Sequence, residues 1–426
     1  MAIGYLLIAI PTPTPVPNMV LFLTMTCIGL FTIAFGNGLF KGNLQAVVGQ
    51  MYDNPEYKDK RDTGFQIFYM FINVGALFAP LIAVAMRNWW VGRNGFAYNS
   101  DLPALCHKYL ANTLTPEATN RFTELANEVS TVAPVSLEAF ANNYLNIFNT
   151  GFHYAFGVSI IAMAISIIVY ITNNKKFPDP AAKKVAAGHA EEVQMTVKEI
   201  KQRFYALFAV FAVVIFFWFS FHQNGVTLTF FANDYTNLSM LKLNLSFTTI
   251  EGAELFQFFN PFFVVFLTPI IIALFGWLKA RGIEPSTPKK IAIGMGIATV
   301  AFVVMALGSI GLPDAATVKA QGGLSDAVRV TPFLLIGTYF ILTVAELFIS
   351  PLGISFVSKV APPQYQGIMQ GCWLGATALG NQLLIFGTIF YENIPIWATW
   401  CVFVTVCLIS MFTMLFMVKW LERVAK

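Results

Sequence analysis

The sequence predicts an all-α integral membrane protein, a helical bundle of about nine full membrane-crossing helices plus half of one, and three observations support this. Of 426 residues, 57% are hydrophobic and only 11% are charged, with a mean hydropathy of +0.65, outside the balance of a soluble domain. Nine mostly apolar runs have the length a bilayer core demands of a helix, near 19–46, 64–87, 150–172, 204–232, 253–278, 290–311, 333–357, 364–388 and 395–420. The alternating pattern of a membrane barrel is absent, and lipid offers backbone amides no water, so these runs must close their own hydrogen bonds as helices.

The chain opens on MAIGYLLIAI, which is apolar but half a span long, lacks a basic leader, and runs into PTPTPVP, which cannot continue a helix. It reads as the tail of a helix whose beginning lies outside this chain; a short interfacial start is the other reading. The run 19–46 ends in FGNGLFKGN, where Lys41 has no acidic residue within nine positions on either side. Asn73 follows in FYMFINVGALFAP. The segment 88–149 is polar, with Pro103, Pro116 and Pro134 and apolar residues at helical intervals, which predicts short surface helices outside the membrane.

After the run 150–172, a basic stretch, 173–203, divides the chain into a partial N-terminal half-bundle, 1–172, and a C-terminal six-helix bundle, 204–426. The second part carries Trp218 and His222 in FFWFSFHQNGVTLTFF, Asn260 directly before Pro261, Glu346 near the middle of FLLIGTYFILTVAELFISPLG, and Trp373 in the run 364–388. Six plus six is the plan this division implies, with the first two to three helices not in this chain.

Lysines and arginines orient the bundle, because they are retained on the cytoplasmic side. They concentrate in 173–203 (Lys175, Lys176, Lys183, Lys184, Lys198, Lys201, Arg203), in 279–290 (Lys279, Arg281, Lys289, Lys290), in 48–63 (Lys58, Lys60, Arg61) and at Lys359, Lys419, Arg423 and Lys426. The expectation is a multi-pass protein of the plasma (inner) membrane with a cytoplasmic C-terminus. The five cysteines form no disulfide framework, since four lie in spans and Cys106 stands alone outside. No His-Glu-x-x-His occurs and only one carboxylate is central, so neither metal nor nucleophilic chemistry has its parts, and no enzyme, cofactor or nucleic-acid partner is expected.

Ionisable groups inside spans are costly and mark pathways or sites. Three are well inside. Lys41 has a bland reading, snorkelling to the inner interface; Glu346 is more than ten residues from either end of its run and cannot snorkel; His222 is either a packing residue or a titrating one. Asn73 and Asn260 are helix-bridging groups by default. Pro261, by removing an amide, is expected to loosen its helix beside Asn260. Trp218 and Trp373 lie mid-span, where core packing and cavity lining are the alternatives.

These residues resemble a known family. GFQIFYMFINVGALFAP (64–80) fits the aromatic-x-x-Phe-Tyr-x-x-x-Asn-x-Gly signature of the proton-dependent oligopeptide transporters, a branch of the major facilitator superfamily, and GNGLFKGN is similar to their Gly-x-Gly-hydrophobic-Phe-Lys-Pro-Asn element. NPFFVVFLTP, EPSTPKK, AELFISPLG and APPQYQGIMQGCWLGATALGN continue the resemblance in order along the chain. It implies a proton-coupled symporter importing di- and tripeptides across the lipid bilayer. Glu346, with Asn73 and Asn260, would hold the peptide ammonium; Lys41 would attract its carboxylate; Trp218 and Trp373 would shape side-chain pockets. Lys41 would thus find its partner on another helix or in the substrate.

The chemistry suits that cargo independently: a zwitterionic peptide needs an anion and a cation some ~6–10 Å apart, and a dry cavity strengthens each charge-assisted bond. The sequence departs from the family in lacking the Glu-x-x-Glu-Arg element of its opening helix, and in placing His222 before Gln223 where an acid is usual. His222 and Glu346 are therefore the proton-coupling candidates. A transporter-family fragment without activity, and a family member carrying another small solute, are the alternative readings.

Overall fold

The computed structural model describes residues 1–52, 56–132, 134–173, 195–244, 248–325 and 328–424. Among the described residues, nine helical spans are long and apolar enough to cross a membrane, as expected from the runs.

A half-length helix, α1 (Ala2–Ile8), lies against α2 (Met19–Met51), which starts where the Asn18 side chain accepts from the amide of Leu21. Helix α3 (Arg61–Arg93) packs on both α6 (Leu137–Asn173) and α9 (Phe256–Ala280). Because α3 runs to Arg93 and α6 starts at Leu137, the polar outer segment shrinks to 94–136. It holds the two short helices α4 (Leu102–Leu110) and α5 (Pro116–Val129). Helix α5 starts from a Thr115 cap with proline at its first position and buries Ala118, Phe122, Leu125, Ala126 and Val129, an apolar stripe at helical spacing. With Leu102, Leu105, Cys106, Phe140 and Tyr144 this stripe forms a small core of its own.

The next span starts earlier than its apolar run suggests. Helix α7 (Val197–Phe221) takes in Lys198, Lys201 and Arg203, because Thr196 and Glu199 form a reciprocal capping box. The rest of the basic stretch, 174–194, lies outside the described residues. The span continues through a 3-10 turn (His222–Gly225) into α8 (Thr227–Tyr235), and a short antiparallel ribbon, β1 (Leu243–Asn244) and β2 (Thr249–Ile250), follows. Then come α10 (Thr287–Gly308), the outer α11 (Ala315–Gln321), the broken span α12 (Pro332–Leu347) and α13 (Ser350–Val360), the broken span α14 (Gln366–Gln382) and α15 (Leu384–Asn393), and α16 (Ile396–Val424). Helix α10 packs on α12 and α16, and α7 on α14 and α16, around the main apolar core.

One expectation needs correcting. Helix α9 runs unbroken through both Pro261 and Pro269, so Pro261 does not open the span at Asn260; transmembrane helices tolerate such residues where neighbours serve the freed backbone. The breaks fall at His222–Gly225, at Phe348–Ile349 and at Leu383, two of them next to the ionisable residues His222 and Glu346.

Candidate functional site

Glu346 is the second-last residue of α12, at the point where its span breaks, and is 4% exposed. A carboxylate this buried requires partners. Its Oε2 accepts from Nδ2 of Asn260 at 2.7 Å, and the same amide reaches Oγ1 of Thr343 at 3.0 Å. Its Oε1 accepts the hydroxyl of Tyr69. One turn along α3, Nδ2 of Asn73 donates to the carbonyl of Tyr69 at 3.0 Å, holding the turn that presents the phenol. Three helices thus converge on one carboxylate, served by two neutral donors, with no cation at ion-pair distance among the described residues.

A second polar network adjoins it. The turn at His222–Gly225 frees the carbonyl of Asn224, which accepts from Nε2 of Gln257 at 2.7 Å and from the hydroxyl of Tyr339 at 2.6 Å. Gln257 is one turn before Asn260, and Tyr339 two turns before Glu346. His222 itself stacks on Trp218, ring centroids 4.8 Å apart, and its Nδ1 is buried with no hydrogen-bond partner. Asn381 lies within hydrogen-bonding reach of the imidazole, and the charge of Lys41 acts on it.

Lys41 is exposed, and among the described residues it makes no hydrogen bond or ion pair. The cross-helix partner expected for it is not formed in this conformation. Its neighbour Gly42 is the residue turned towards α14, where Gly371 would lie 3.9 Å from an added Cβ, and Lys41 sits about 100° further round the helix. Both tryptophans are core residues here, Trp218 5% and Trp373 2% exposed. Trp373 stands edge-on to Phe211 and closes over Gly353.

The structure therefore gathers Asn73, Asn260 and Glu346 with the additional residues Tyr69 and Thr343, groups His222 with Trp218, and leaves Lys41 and Trp373 outside both clusters. The signal for Tyr69 was its place one turn before Asn73 on the same helix face.

Helix α3 is fixed at its ends as well. Near one end Arg87, 1% exposed, donates to Oε1 of Glu254 at 2.6 Å and lies 4.1 Å over the ring of Tyr98, while Asn88 donates to the carbonyl of Thr249 at 2.8 Å. At the other end Asp62 accepts from Lys359 at 2.6 Å and from Ser355, and Arg61 donates to the carbonyl of Ser358 at 3.2 Å. A cavity of about 540 Å³ lies at this second end, lined by Arg61, Arg203, Lys279 and Lys359.

A sequence model of the POT family matches residues 1–188 and 181–397. Among curated proteins, the chain is similar to the peptide transporter YePEPT of Yersinia enterocolitica, 25% identical over 83% of this chain and 66% of that protein. It is also similar to a di-/tripeptide transporter of Lactococcus lactis, 24% identical over 84% of this chain and 67% of that protein. It thus spans about two thirds of their length. A crystal structure of a peptide transporter POT in complex with sulfate superposes with a TM-score of 0.60 at 22% identity, covering 99% of this chain and 78% of that one, a likeness of fold.

Proposed function

The chain belongs to the POT family, and from that premise we propose that it imports di- and tripeptides into the cell with protons, by alternating access across the plasma membrane. The observation that carries this reading is Glu346, a buried carboxylate presented by Tyr69 and Asn260 with no cation of the protein beside it. A buried anion with two neutral donors is a receptor for a cation, and the ammonium group of a peptide supplies one together with three donors. Asn73 and Asn260 read the same end of the substrate. Lys41, exposed and unpaired, attracts the carboxylate end when the bundle 1–172 closes on the bundle 204–426. Trp218 and Trp373, packed in the core in this conformation, shape the side-chain pockets in this reading only when the bundle opens.

The proton has two stations in this reading. Protonation of Glu346 releases the ammonium on the inner side. His222, at the break between α7 and α8, is the second and takes its proton from the outer medium.

The test is uptake of a radiolabelled dipeptide by vesicles containing the purified protein, with an acid-outside gradient. Glu346→Gln removes the charge and leaves one accepting oxygen where the carboxylate has two. Hydrogen bonds to a charged group contribute roughly 1.5–3 kcal/mol, so uptake at low peptide concentration should fall by about 10- to 100-fold. Unchanged uptake by this variant would overturn the assignment of Glu346.

A further inference from the structure

The outer segment 94–136 has no part in the reading above, and its contacts give it one. It is built rigidly onto the first bundle: Phe96 pairs with Ser130, the amide of Asn99 donates to the hydroxyl of Tyr144 at 3.2 Å, and the small core shared with α6 is fully buried. Its free side lies against α11 and the turn after it, which belong to the other bundle. There Oδ2 of Asp101 accepts from Nη2 of Arg329 at 3.2 Å, with the two side chains 12% and 5% exposed. Lys108 Nζ donates to the carbonyl of Lys319 at 3.1 Å, and Thr115 Oγ1 to that of Ala320 at 3.0 Å.

The fit is close. Gly322, with φ of +80°, would place a Cβ 3.4 Å from the Cα of Ala118, and Gly323, with φ of +116°, would place one 3.1 Å from the Asp101 carboxylate. Only glycine adopts such a backbone without strain while letting another chain segment approach. Arg329 also donates to the carbonyls of Leu324 at 2.9 Å and Asn233 at 3.1 Å, so its guanidinium is preset by its own bundle to receive Asp101. Lys319 is tied in turn to Glu392 at 2.7 Å.

We propose that the segment 94–136 is an outer clasp, docked on α11 through Asp101 and Arg329, that holds the outer mouth shut and must release before peptide can load. The proposal rests on the alternating-access reading, because only a separation of the two bundles on the outer side makes this contact one that has to break. A buried charge pair suits a clasp: formed, it is dry and directional; opened, both charges regain water.

The first measurement does not depend on transport. Spin labels at Asn120→Cys on α5 and Thr317→Cys on α11, with the exposed Cys27 and Cys401 changed to serine, report the distance across the clasp in lipid nanodiscs. The native protein should give one short distance, and Asp101→Asn should add a longer one and raise the open-to-closed ratio about tenfold, the loss expected when a charge-assisted bond becomes a neutral one. Superimposable distance distributions would overturn the clasp.

The second measurement locks it. Thr115→Cys with Ala320→Cys, oxidised, should cut dipeptide uptake at least about tenfold, and reductant should restore it; full uptake by the cross-linked protein would also overturn the clasp. If the unaltered protein carries no peptide at all while Asp101→Asn still shifts the distances, the transport reading fails and the docked contact stands without its role in peptide loading.

Discussion

At the residue scale, the site depends on which buried polar groups have partners. His222 has one face on Trp218 and a buried, unpartnered Nδ1, which is an expensive arrangement unless the ring acquires a proton or a ligand during the cycle. His222→Gln should therefore change the dependence of dipeptide uptake on outer pH; a profile identical to that of the unaltered protein would remove His222 from proton coupling. Outside the membrane, Cys106 is the group to watch. Burial in the small core pushes its thiol up to about 12, so its reactive thiolate is scarce at neutral pH and forms only as pH rises towards that value. N-ethylmaleimide at pH 8 should leave Cys106 unmodified by mass spectrometry in the folded protein and label it after denaturation. Labelling of the native protein would mean that the core under the clasp opens.

At the element scale, most helices were legible and their interruptions were not. Nine spans followed from apolar run length alone, and the outer helices α4 and α5 from the spacing of apolar residues around Pro103 and Pro116. Pro261 suggested a break that α9 does not have, while the break after Glu346 falls just before Pro351, in the first turn of α13, where none was expected. Tertiary contacts decide such breaks, and a single chain does not display them. Among the site residues, Asn260 and Glu346 were legible because a polar group in lipid needs a reason, whereas Tyr69 was hidden among ordinary aromatics. Glycines supply the packing limits. A Cβ on Gly380 would lie 2.7 Å from the carbonyl oxygen of Ile215 and from the Cβ of Trp218, and backbone cannot move aside as a flexible side chain can. Gly380→Ala should lower the thermal midpoint in detergent by several degrees, the effect of roughly 1–3 kcal/mol of overpacking, and disturb the Trp218–His222 stack. An unchanged midpoint would mean that α7 and α14 are packed more loosely than described.

At the scale of the whole molecule, the basic loops come together at one end. Lys359 pairs with Asp62 at 2.6 Å, Lys289 with Glu422 at 3.1 Å, and Arg203 donates to the carbonyl of Val360 at 2.9 Å. Retention of positive charge is the ground on which this end is proposed to be cytoplasmic. A green fluorescent protein fused after Lys426 should be bright and an alkaline phosphatase fused there inactive in a bacterial host; the reverse pattern would invert the bundle. The same arrangement has a mechanical consequence in α3. This helix, about 50 Å of continuous rod at 1.5 Å per residue, is tied at one end to Lys359 and Ser358, at the other to Glu254 and Thr249, and about a quarter of the way from the Lys359 end to Glu346 through Tyr69. A stiff beam pinned at three points cannot lift both ends at once. It can only tip, with the Tyr69–Glu346 contact as its fulcrum and Pro80, between that fulcrum and Arg87, as the place where the outer arm can bend. The carboxylate proposed to receive the substrate is then also the pivot, so whatever occupies it sets how freely the beam swings.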